Sequence, residues 1–74
     1  MNSEQRENIN SVTSMLERCA SIIDFVQAEV SDKAEYLPKG SEERNIMGRI
    51  DLYLIRAYSQ VSKAMESLES ALEV

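Results

Sequence analysis

Tyr36-Leu37-Pro38-Lys39-Gly40-Ser41-Glu42-Glu43 stands near the middle of the 74-residue chain and holds its only proline and one of its two glycines. Pro38 lacks an amide donor and pushes the residue before it out of the helical region, so a helix arriving from the N-terminal side stops near Glu35 or Tyr36. Proline and glycine so close together mark a connection between two arms. Ser41 then reads as an N-cap, with Glu42 and Glu43 suited to the positive end of a helix dipole. At the far end of the first arm, Asn2 or Ser3 before Glu4 can cap in the same way. The reading is a turn at about 36–41 joining helices at about 3–35 and 42–73. Each arm is about 32 residues, or roughly 48 Å at the rise of an α-helix.

Working outward from the turn, the apolar residues keep helical time. Ile9, Val12, Leu16, Cys19, Ile23, Val26 and Val30 follow one another at alternating spacings of three and four. In the second arm Met47, Ile50, Leu54, Ala57, Val61, Ala64, Leu68 and Ala71 do the same, flanked by Tyr58, Met65 and Leu72. Such a stripe is the coiled-coil signature, and no stretch alternates with the period of two that a strand requires. The expected fold is all-α, a single domain over 1–74: an antiparallel two-helix hairpin with those stripes facing each other. Cys19 is expected as a small buried hydrophobe within the stripe. Gly48 disturbs the second helix by on the order of 1 kcal/mol relative to Ala, and its reading is a frayed helix start, or else a close approach by another backbone.

Composition removes most chemistry. The chain has no His, no Trp and a single Cys, so imidazole-based metal sites, His-based catalytic triads and an internal disulfide are excluded. No catalytic residue, metal ligand or cofactor is assigned, and a non-enzymatic protein is expected. Glu66 and Glu69 resemble the paired carboxylates of metal-dependent hydrolases only in spacing, because heptad phase directs them outward. The polar N-terminus lacks a signal-peptide pattern, and no apolar run has the length of a membrane span, so a cytoplasmic chain with no membrane partner is expected. Thirteen acidic against eight basic side chains, a net charge of -5, argue against non-specific nucleic-acid binding.

A lone hairpin should be polar on its outside, and Ser14, Ser21, Ser59, Ser62, Glu66, Ser70 and Glu73 obey. Ile22, Phe25, Leu52 and Ile55 do not. They fall off the stripe at similar heights, as an apolar belt, with Tyr53 and Tyr58 beside the core face. Four large residues at one height form a patch, and burying each contributes roughly 1.5 to 3 kcal/mol. The expectation is therefore a homodimer, two hairpins closing into a four-helix bundle through an interface of Ile22, Phe25, Leu52, Tyr53, Ile55 and Tyr58. The same belt would alternatively dock a different protein as an adaptor, chaperone-like cofactor or inhibitor. Phe25→Asp or Leu52→Asp should then weaken association far more than Ser21→Asp. Tyr36 is expected to fold over the turn.

Arg49, Arg56 and Lys63 recur every seven residues along helix two, opposite a matching row of Glu17 and Asp24. Solvated charge and rim ion pairs explain such rows. The competing reading is a polyanion contact in a nucleic-acid-binding regulatory hairpin dimer. Glu66, Glu69 and Glu73, near Glu4 and Glu7 in a closed hairpin, raise the opposite alternative of an acidic surface that imitates nucleic acid.

Overall fold

The computed structural model describes residues 1–73. It is an antiparallel hairpin of two helices, α1 (Ser3–Glu35) and α2 (Glu42–Leu72), packed against each other in a rod of 56 × 14 × 12 Å measured over Cα atoms. Both expected helix starts are present with their caps. The Asn2 side chain accepts from the Gln5 amide at 2.9 Å while the Gln5 side chain accepts from the Asn2 amide at 3.0 Å, a reciprocal capping box. Ser41 Oγ accepts from the Arg44 amide at 3.2 Å, with Glu42 and Glu43 in the first turn of α2.

The connection is short because each of its residues ends or redirects the chain. Tyr36 and Leu37 close α1 by donating to the carbonyls of Lys33 and Ala34, and Pro38 accepts from the Ser41 amide at 3.1 Å. Gly40 takes the left-handed backbone at φ 79°, which a side chain would strain. Arg44 reaches back from α2 to donate to the Leu37 carbonyl at 3.2 Å, tying the second helix to the end of the first. Tyr36 does not fold over this turn; it is 88 % exposed, since the two bonds that close α1 leave its side chain pointing clear of α2.

The helices meet along a seam one residue later than the apolar stripes suggest. In α1 the sheltered residues are Ile9, Thr13, Leu16, Ala20, Ile23, Gln27, Val30 and Ala34. Val12, Cys19 and Val26, expected in the core, are exposed instead. In α2 the sheltered sequence is Arg44, Met47, Asp51, Leu54, Val61, Met65, Leu68 and Leu72, with Tyr58 at the same spacing and 38 % exposed. Ile50 and Ala57 have moved out, while the small Ala64 and Ala71 stay half-sheltered beside the seam. Both helices are thus turned by one position in the same sense, about 50° from the expected phase given 3.5 residues per supercoil turn.

Ala20 is the one buried residue of the described chain, at 8 % exposure. Taking Glu35 and Glu42 as level across the turn, Ala20 lies within one residue of the height of Tyr58, which shares the seam side of α2. Several seam positions are polar. The Thr13 hydroxyl is satisfied by donating to the Ile9 carbonyl at 2.9 Å, whereas Asp51 Oδ1 is buried with no hydrogen-bond partner. Gly48 lies well inside α2 and a Cβ there would meet nothing within 4 Å. Neither a frayed start nor a close backbone within the hairpin accounts for it. Among the described residues no helix is long and apolar enough to cross a membrane.

Candidate interaction surface

The seam fixes the heptad phase, and the phase sorts every other side chain onto a face. With Thr13, Ala20 and Gln27 at position a and Leu16, Ile23 and Val30 at d, the residues Val12, Cys19 and Val26 occupy g, and Met15 and Ile22 occupy c. On α2, where Asp51, Tyr58 and Met65 are a, the g positions hold Ile50, Ala57 and Ala64, and the c positions hold Ile46, Tyr53, Gln60 and Ser67. In an antiparallel pair the g and c sides of both helices lie on one broad face of the hairpin, because reversing a helix and turning it to face its partner keeps like positions on the same side. That face is apolar through its middle, from Val12 to Val26 on α1 and from Ile46 to Ala57 on α2. Exposure rises away from the seam as this geometry requires, from 37 % at Ile50 and 38 % at Val26 to 62 % at Ile22 and 64 % at Tyr53.

Charge on this face is confined to the turn end, at Glu29, Lys33 and Glu43. Glu29 and Lys33 form an ion pair at 4.0 Å with both side chains half exposed or more, which contributes little to stability. The opposite face, made of e and b positions, differs completely. It carries Glu7, Glu17, Asp24, Glu35, Glu66, Glu69 and Glu73 with no Lys or Arg, among serines and asparagines. The hairpin is therefore a two-sided ribbon, greasy on one broad side and acidic on the other.

The six residues of the expected interface, the four-residue belt with Tyr53 and Tyr58, are divided by this phase. Ile22 and Tyr53 lie on the apolar face. Phe25 is at f, on the outer edge of α1 and 67 % exposed, and Tyr58 is half in the seam. Leu52 at b and Ile55 at e are exposed on the acidic side. The same face also carries Met15 and Ile46, which sequence reasoning did not single out, and Val12, Cys19, Val26, Ile50 and Ala57, which it assigned to the interior. The missing signal was present: Val12, Met15, Cys19, Ile22 and Val26 are themselves spaced by three and four, a second stripe beside the first.

Arg49, Arg56 and Lys63 fall at f and run along the outer edge of α2, exposed and without an ion pair among the described residues. Glu17 and Asp24 sit at e on α1, so the two rows do not match across the hairpin. The Cys19 thiol is exposed. Among the described residues there is no pocket and no group of three or more Cys, Asp or Glu side chains placed to hold a metal ion. Compared with protein-family models, curated proteins and solved structures, the chain matches none.

Proposed function

We propose that the chain is a non-enzymatic protein–protein interaction module that works as a homodimeric helical hairpin, two copies packing their apolar faces into a four-helix bundle. The observation that carries this reading is the position of the seam. On their respective helices, polar Thr13, Gln27 and Asp51 are turned toward the facing helix while Val12, Val26 and Ile50 are turned away from it. A hairpin that worked alone would gain by the reverse rotation, since burying each of those side chains contributes roughly 1.5 to 3 kcal/mol. A second layer of helices covers them without disturbing the seam.

Surface area supports the same reading. The hairpin exposes 5672 Å². A compact monomer of 8.4 kDa exposes about 4,600 Å². The excess, about 1,000 Å², is comparable to the roughly 800 Å² that each partner contributes to a standard interface. In such a dimer the acidic sides face outward, and Leu52 and Ile55 are the large apolar residues left there to anchor a protein partner of an adaptor or inhibitor.

The experiment is sedimentation equilibrium on wild type, Ile22→Lys and Leu52→Lys. Dimeric wild type, dissociated by Ile22→Lys and left associated by Leu52→Lys, is the expected result. Unaltered association in Ile22→Lys sinks the reading. The single-signed acidic side favours one competing reading, imitation of nucleic acid toward a basic protein, over contact with nucleic acid itself through Arg49, Arg56 and Lys63. A titration with RNA and DNA at low salt separates those two, because phosphate binding is steeply salt-dependent.

A further inference from the structure

The apolar face has an internal symmetry that specifies how a second copy lies on it. Along α1 its residues are Val12, Met15, Cys19, Ile22 and Val26, which read outward from Cys19 as a medium-sized residue and then a valine in either direction. Beyond them both ends turn polar, at Gln5 and Asn8 on one side and Glu29 and Lys33 on the other. Along α2 the face is graded. Ile46, Ile50 and Tyr53 make the half nearest the turn bulky and apolar, whereas the other half is thin beside the seam, at Ala57, Ala64 and Ala71, with polar Gln60 and Ser67 outside them. Counting from Glu35 and Glu42 across the turn puts Cys19 and Ala57 at nearly the same height, the two smallest side chains of the central part of the face side by side.

We propose that the occupant of this face is a second copy of the chain laid antiparallel across it, turns at opposite ends, with the two-fold axis at the height of Cys19 and Ala57. This rests on the dimer reading above and adds to it a geometry. Only two closed two-fold arrangements stack these faces. With turns at opposite ends, α1 lies over the partner's α1, so Val12 meets the partner's Val26, and Cys19 meets the partner's Cys19. The bulky half of α2 then lies over the thin half of its copy, Ile50 against the partner's Ala64. The two layers stay evenly spaced, as close packing requires. With turns together, α2 lies over the partner's α1 at equal height. Ile50 and Tyr53 would then press on the partner's Val26 and Ile22, while Ala64 would leave a gap above the partner's Val12.

Charge is compatible with the first arrangement. Glu29, Lys33 and Glu43 come to lie over the far end of the partner, near Gln5, Asn8 and Ala71, and none of the three meets a like charge on that face. The second arrangement would place Lys33 beside the partner's Glu43, but a pair so exposed to solvent is a minor factor beside the mismatch in packing. Small residues at the axis let the layers approach closely there, where a two-fold contact is a residue against itself.

The chain has a single thiol, so a short bismaleimide reads the geometry directly. Wild-type protein at micromolar concentration is expected to yield a covalent dimer on a denaturing gel. Ile22→Lys, whose thiol stays exposed but whose face is broken, should yield several-fold less. A second pair of variants, Cys19→Ser with Val12→Cys and Cys19→Ser with Val26→Cys, should cross-link when mixed and only weakly when each is alone. A dimer by sedimentation in which neither Cys19 nor the mixed pair cross-links overturns this arrangement and leaves the association reading standing. A monomer at every concentration overturns both.

Discussion

Asp51 marks the least comfortable point of the seam at the scale of single residues. Its Oδ1 is buried with no partner, and Gln27 sits at nearly the same height on the facing helix. A buried acceptor left unsatisfied costs about 1 to 3 kcal/mol, so Asp51→Leu should stabilise the hairpin by an amount of that order. Urea denaturation followed by circular dichroism measures it, and a lower midpoint in the variant would show that Asp51 makes a stabilising contact after all. Gly48 offers a cleaner comparison. It sits mid-helix with open space where a Cβ would go, so Gly48→Ala should add about 0.5 to 1 kcal/mol by removing backbone entropy from the unfolded chain. A loss of stability in the same urea series would reveal a close neighbour at that position. The thiol of Cys19 belongs to this scale as well: nothing in its immediate sequence distinguishes an inward from an outward cysteine.

At the scale of elements, the helix boundaries are set by local caps and turn residues. Ser41 gives α2 its first satisfied amide, and Ser41→Ala should cost about 1 kcal/mol, read as a lower melting temperature. Ser41→Asp should restore most of it, since Asp caps as well as Ser. The boundaries were legible for the same reason: Asn2, Pro38, Gly40 and Ser41 act locally, through bonds and dihedral limits that no distant contact revises. Helix phase was not legible. The sequence reading turned the most apolar stripe toward the other helix, which holds when a helix has one neighbour. α1 has an apolar set at d flanked on one side by Val12, Cys19 and Val26, and on the other by Thr13, Ala20 and Gln27. Apolarity alone chooses the first flank, whereas Ala20 near the height of Tyr58 permits a tighter seam on the second. The same ambiguity scattered the expected interface, since a turn of one position carries Leu52 and Ile55 to the far side while leaving Ile22 and Tyr53 on the near one.

Taken as a whole molecule, the hairpin presents a long surface over a thin interior, with Ala20 alone below a tenth exposed. Two helices of this size bury a modest share of the surface their chain exposes when unfolded. Association that covers one broad side makes apparent stability depend on concentration by mass action, so the melting temperature should climb as protein concentration rises from micromolar to hundreds of micromolar. Differential scanning calorimetry across that range checks it, and a constant melting temperature would mean that folding proceeds without a second chain. The Ile22→Lys variant should show a smaller rise.

The polar residues in the seam bear on how long a single hairpin survives. Thr13, Gln27 and Asp51 bury less apolar surface between the two helices than valines would, so a chain on its own is expected to open more readily than one with a valine seam. Proteases cleave such transiently opened states in proportion to how much of the time they are open. The proposed dimer would shield the apolar side and steady the seam in one event. On that proposal the lifetime of the chain would lengthen as copies accumulate, and scarcity itself would become a route to its removal.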